Sequence, residues 1–119
     1  MEQHMPRFVI LEHDHPVLHW DLMLEAGGVL RTWRLAEAPT AAACAIVAEP
    51  LHNHRLVYLD YEGPVSGNRG RVKRWDSGTF DALESNAWMF HGHRLHGFAR
   101  IECNDGTTWQ FRRQPFGPS

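Results

Sequence analysis

The sequence predicts an all-β fold, a small closed or nearly closed β-barrel of about seven to eight strands with one short helix. Three observations point there. Apolar residues recur in short alternating runs, and no long segment holds a 3.6-residue period. Turn signals such as Gly27-Gly28, "DSG" at 76–78 and "NDG" at 104–106 separate the runs. Five tryptophans supply bulky side chains for a single barrel interior.

Taken in order, "RFVILEH" (7–13) reads as the first strand, broken at Pro16, which cannot donate to a ladder. "LHWDLMLEAGGVLRTWRL" (18–35) reads as a β-hairpin with Gly27-Gly28 at its turn. The alanine-rich "APTAAACAIVAEP" (38–50) is the short helix, with Pro and Thr near its start. Strands follow at "RLVYLDYEG" (55–63), "GRVKRWD" (70–76), "WMFHG" (88–92), "GFARIEC" (97–103) and "TTWQFRR" (107–113). A chain of 119 residues is expected to form one domain, residues 1–119, around one core.

Composition narrows the function classes. The longest apolar run, 41–48, is far too short to span a bilayer, and the start lacks the pattern of a signal peptide. A cytoplasmic, monomeric protein with no membrane partner is expected. Cys44 and Cys103 fall in no metal-binding or redox spacing, so reduced thiols are expected. The net charge of −2 does not announce a nucleic-acid binder, yet Lys73 is the only lysine among 12 basic residues. Arginine's planar fork suits bidentate phosphate contact.

The chemistry concentrates in "EHDHPVLHWDLMLE" (12–25). Alternation puts His19, Asp21, Met23 and Glu25 on one face of their strand. His19 and Asp21 are then roughly 7 Å apart at Cα, within reach of one ion. His13, before the break, can fold back as a third ligand. Two histidines and a carboxylate suit Mn, Fe or Zn without choosing between them. A hydrogen-bonded His-x-Asp pair on a solvated face is the plainer alternative. With a two-residue turn at Gly27-Gly28, opposed positions sum to 55, which sets Arg34 across from Asp21 on the same face. Arg34 then either salt-bridges Asp21 or binds an anion.

A second cluster, "HNHRLVYLDYEG" (52–63), places His54, Tyr58 and Asp60 on one side of an extended strand. Histidine and tyrosine can donate to an oxyanion, and histidine can protonate a leaving group; a polar strand edge is the alternative. His91, His93 and His96, around Gly92 and Gly97, read as exposed groups at a tight strand junction.

Together, "EHDHPVLHWDLMLEAGGVLRTW", "NHRLVYLDYEG", "RVKRWDSGTF" and "HGHRLHGFARIE" resemble the 3′-phosphoesterase module of bacterial ATP-dependent DNA ligase D, over roughly residues 7 to 113. The resemblance implies a β-barrel with a manganese-dependent site. That site trims a terminal 3′-phosphate or ribonucleotide from DNA or RNA–DNA 3′ ends, with a DNA ligase or polymerase acting alongside. By position, His13, His19 and Asp21 match the metal ligands, and His54 and Tyr58 match residues contacting the phosphate. Two positions depart from the family pattern. Met23 stands where the family has a phosphate-gripping arginine, and Glu37 where it has a lysine. The loop after Gly63 is also shorter than the family's. Arg34 is expected to replace the lost arginine, with Arg55 and Arg71, and more broadly Arg31, Arg69 and Arg74, supplying backbone contacts.

Three functions follow. The first is a metal-dependent phosphoesterase on 3′ ends, with His54, Tyr58 and Arg34 as its catalytic residues. The second is a metal- and phosphate-binding module of the same fold that has lost catalysis. The third is a small non-haem metalloenzyme whose His19-x-Asp21 is completed by His91 or His93.

Overall fold

Most of the alternating runs become strands, as their side-chain period requires. The computed structural model describes residues 5–40, 45–103 and 107–113. Within them lie β1 (Arg7–His13), β2 (His19–Ala26), β3 (Val29–Leu35), β4 (Ile46–His54), β5 (Gly63–Pro64), β6 (Arg71–Glu84), β7 (Ala87–Gly92), β8 (His96–Cys103) and β9 (Thr107–Arg113). The sheet runs β1-β2-β3-β4-β9-β8-β7-β6-β5, and a further β1–β6 pairing closes eight antiparallel strands into a barrel. The short β5 is left as an extra strand beside β6.

The interior is filled from nearly every strand by Phe8, Ile10, Leu22, Leu24, Trp33, Leu35, Trp88, Phe90, Ile101 and Trp109, among others. Residues of opposite parity, Val9, Leu11 and Met23, are buried too, in a second cluster with Leu30, Leu59 and Val72. This explains why "FVIL" of β1 is continuously apolar. The strand is covered on both faces, so neither face needs polar side chains.

The β2–β3 hairpin follows the spacing argument. Ala26 pairs with Val29 across Gly27-Gly28, and Asp21 pairs with Arg34. Elsewhere the structure corrects the sequence reading. No α-helix occurs among the described residues, and the expected helix at 38–50 ends in strand β4, with residues 41–44 outside the described set. Cys44 lies there as well. Ile46 and Ala48 alternate with exposed Val47 and Glu49, and that two-residue period lets β4 pair with β3. The expected strand at 55–63 is instead a 3-10 turn, Leu56–Leu59, whose buried Leu59 lids the second cluster.

The "DSG" turn is also overturned, because β6 runs unbroken through it. Asp76 is buried, and its carboxylate accepts backbone N–H bonds from His93 (3.0 Å), Arg94 (3.0 Å) and Leu95 (2.7 Å). The side chain thus serves the β7–β8 turn, not a turn of its own. Gly78 is needed where β6 and β7 approach, since a Cβ there would run into the His91 carbonyl. The "NDG" segment lies outside the described residues. No helix among those described is long and apolar enough to cross a membrane.

Candidate metal centre

The odd-numbered side chains of β1 and β2 share the barrel's outer face, and the antiparallel register sets His13 directly across from His19 and Leu11 across from Asp21. Ligand atoms of His13, His19 and Asp21 lie within 4.8 Å of one another. Asp21 Oδ2 stands 3.6 Å from His13 Nδ1, and Oδ1 stands 3.3 Å from His19 Nε2. The imidazoles meet edge to face at 4.8 Å.

The rings are aimed by bonds behind them. His19 Nδ1 lies 2.7 Å from the Val17 carbonyl, and His13 Nε2 lies 2.8 Å from the Arg69 carbonyl. A carbonyl only accepts, so each of those nitrogens carries the proton, and each ring turns its other nitrogen toward Asp21. Backbone carbonyls orient metal-bound histidines in this way. His19 Nε2 and Asp21 Oδ1 are buried and find no hydrogen-bond partner in the protein. Orphaned atoms of this kind fit a cation. Burial disfavours the imidazolium of His19, but the adjoining Asp21 carboxylate and the Val17 carbonyl outweigh it and raise the pKa.

Arg34 sits across from Asp21, as the hairpin arithmetic predicts, but without an ion pair to it. Its Nε is buried and unpartnered, and Nη1 lies 3.9 Å from Glu49 Oε1. Beside it a cleft of ≈ 280 Å³ opens against Pro16, Val17, Leu18, His19, Val47 and Glu49.

His54 and Tyr58 form a second pair, with His54 close enough to feel the Asp21 charge. His54 is carried at the end of β4 and Tyr58 on the 3-10 turn, so they do not share one extended strand. Their rings nevertheless meet at 5.7 Å. His54 Nδ1 bonds the His52 carbonyl at 2.9 Å, and burial pushes its pKa down. Asp60 leaves this group and pairs with Arg7 at 2.8 Å.

Met23 is 2% exposed and packs in the second cluster, on the same outer face as the trio. Glu37, Arg55 and Arg71 are exposed or largely so. Arg31 is turned away: it bonds Asn86 at 2.8 Å and lies over Trp33. The Arg69 guanidinium is taken by Ser66, and Arg74 donates its backbone N–H to Glu62. His91 bonds Asp81 at 2.7 Å on another part of the barrel, and neither it nor His93 joins the trio. Sequence reasoning missed the carbonyls of Val17 and Arg69, since backbone groups leave no residue-type signal.

An eight-stranded barrel with a two-histidine, one-carboxylate cluster on its outer face is the class of protein this geometry defines. The chain belongs to the family of the DNA ligase D 3′-phosphoesterase domain, whose pattern matches residues 11–104. It is 30% identical over 118 residues to the multifunctional non-homologous end joining DNA repair protein LigD of Mycobacterium tuberculosis, covering 89% of this chain and 16% of that protein. It is 32% identical over 82 residues to the Pseudomonas aeruginosa LigD, covering 66% of this chain and 10% of that protein. The chain therefore spans only a small part of these relatives.

Proposed function

We propose that the protein is a metal-dependent phosphoesterase acting on nucleic-acid 3′ ends, removing a terminal 3′-phosphate or ribonucleotide in DNA end repair. The observation that carries this reading is the pair of buried, unpartnered atoms, His19 Nε2 and Asp21 Oδ1, beside His13. The family supplies the reaction class, and the end-joining role in the relatives' names supplies the setting.

In this reading His13, His19 and Asp21 hold one divalent ion, manganese by family resemblance, with zinc and iron also compatible with the donors. When bound, such an ion supplies Lewis-acid polarisation of a phosphoryl oxygen. Arg34, whose Nε is unpartnered and whose Nη1 reaches Glu49 only at 3.9 Å, holds a phosphate oxygen in place of the family arginine where Met23 stands. Tyr58 donates its hydroxyl to the developing charge. Water attacks the phosphorus as the bond to the 3′-oxygen breaks, and protonated His54 gives its Nε2 proton to that departing oxygen, its Nδ1 being engaged by the His52 carbonyl. Arg55 and Arg71 contact the nucleic-acid backbone. A single domain, a monomeric state, a cytoplasmic setting and a ligase or polymerase working alongside complete the proposal.

The test is release of inorganic phosphate from a 3′-phosphorylated primer–template in Mn²⁺. Release that disappears in His19→Ala is expected. Binding of the end without release favours the second reading, a binding module, which the burial of Met23 in the outer cluster supports. Neither binding nor release contradicts both.

A further inference from the structure

We propose that Asp14 is a positioning residue: with the 65–70 loop it decides which nitrogen His13 presents to the metal centre. His19 takes its orientation from the Val17 carbonyl, two residues away, whereas His13 takes it from the Arg69 carbonyl, 56 residues away. Something must hold that distant carbonyl in place. Asp14 Oδ1 accepts the Arg71 backbone N–H at 2.8 Å, and the Asp14 N–H donates to the Arg71 carbonyl at 3.4 Å. The loop closes on itself through Val65 N–H to the Gly70 carbonyl at 2.8 Å, and the Arg69 guanidinium is tied to the Ser66 carbonyl at 2.7 Å. Gly70 has φ +76, and a Cβ there would collide with the Asp14 carboxylate. The loop is therefore seated directly on Asp14.

The consequence is chemical. With the Arg69 carbonyl fixed 2.8 Å from Nε2, the neutral His13 ring keeps its proton there and its lone pair on Nδ1. Nδ1 is the atom that faces Asp21 at 3.6 Å. Were the carbonyl to drift, the proton could move to Nδ1 and the ligand nitrogen would be lost. Orienting partners of this kind are commonly worth 10–100-fold in metal affinity.

The inference rests on the trio being a metal centre, and the test separates the two. Ring ¹⁵N shifts of His13 in the metal-free protein, at a pH where the ring is neutral, are expected to show Nε2 protonated. Titration with Mn²⁺ alone is expected to show affinity about tenfold or more weaker in Asp14→Ala and Gly70→Ala. Asp14→Asn, which still offers Oδ1 to Arg71, is expected to stay near the parent. A His13 proton on Nδ1, or parent-like affinity in a folded Asp14→Ala, overturns the inference. Should both weakening variants fail to fold, the parent's own tautomer decides it. A parent that takes up no Mn²⁺ overturns the metal reading and this inference together. A parent that binds Mn²⁺ with His13 protonated on Nδ1 overturns this inference alone.

Discussion

His19 and His54 are held on opposite sides of ordinary histidine behaviour, and the difference sets the pH dependence. Burial opposes a charge on His19, but the Asp21 carboxylate and the Val17 carbonyl outweigh it, so the metal-free ring keeps its proton to higher pH than an ordinary histidine does. A metal ion must displace it, so affinity rises with pH and levels off above that raised pKa. Calorimetry of Mn²⁺ binding at pH 6.5 in buffers of different ionisation enthalpy is expected to show proton release that shrinks as the pH is raised, and release independent of pH would contradict it. The lowered pKa of His54 acts the other way. The acid form needed for leaving-group protonation is depleted as pH rises, so turnover at saturating metal should fall from pH 6 toward pH 8. A His54→Gln variant with the same slope would remove His54 from that role. Arg34 makes the remaining residue-scale prediction. Arg34→Ala should abolish phosphate binding while Mn²⁺ still binds, and unchanged phosphate affinity in that variant would rule out the substitution for the family arginine.

At the scale of elements, the β2–β3 hairpin was legible because a two-residue turn and a two-residue side-chain period leave no freedom in register. That is why the sequence alone sets Arg34 opposite Asp21. The 55–63 segment was not legible. Strand parity brings His54 and Tyr58 together, and so does a 3-10 turn that folds Leu59 onto Met23's cluster, but only the second exists. "DSG" misled for a related reason: Asp and Gly signal turns, yet Asp76 bonds a turn on other strands and Gly78 answers close packing. Asp76→Ala would leave three backbone donors without their acceptor and should cost about 2–4 kcal/mol. Urea denaturation measures it, with metal affinity of the folded fraction unchanged. A cost below about 1 kcal/mol would mean that water replaces the carboxylate there.

For the whole molecule, closure decides where function can sit. Eight strands enclose an interior that large side chains fill, which leaves no room there for a substrate site. The second apolar cluster covers β1 and β2 on the outside and leaves His13, His19 and Asp21 at its border. The β1–β6 seam that closes the barrel pairs every residue from Arg7 to His13. Amide exchange at 8–12 is therefore expected to be slower than in the 65–70 loop, and equal exchange in the two would show that the seam does not hold.

The proposed metal centre at His13, His19 and Asp21 is the feature on which the proposed chemistry depends. Metal content after Mn²⁺ loading and desalting tests it most directly, compared between the parent and His19→Ala. One ion per chain in the parent and none in the variant is the expected result. A parent without bound metal, or a variant that keeps its full complement, would contradict the assignment of His13, His19 and Asp21.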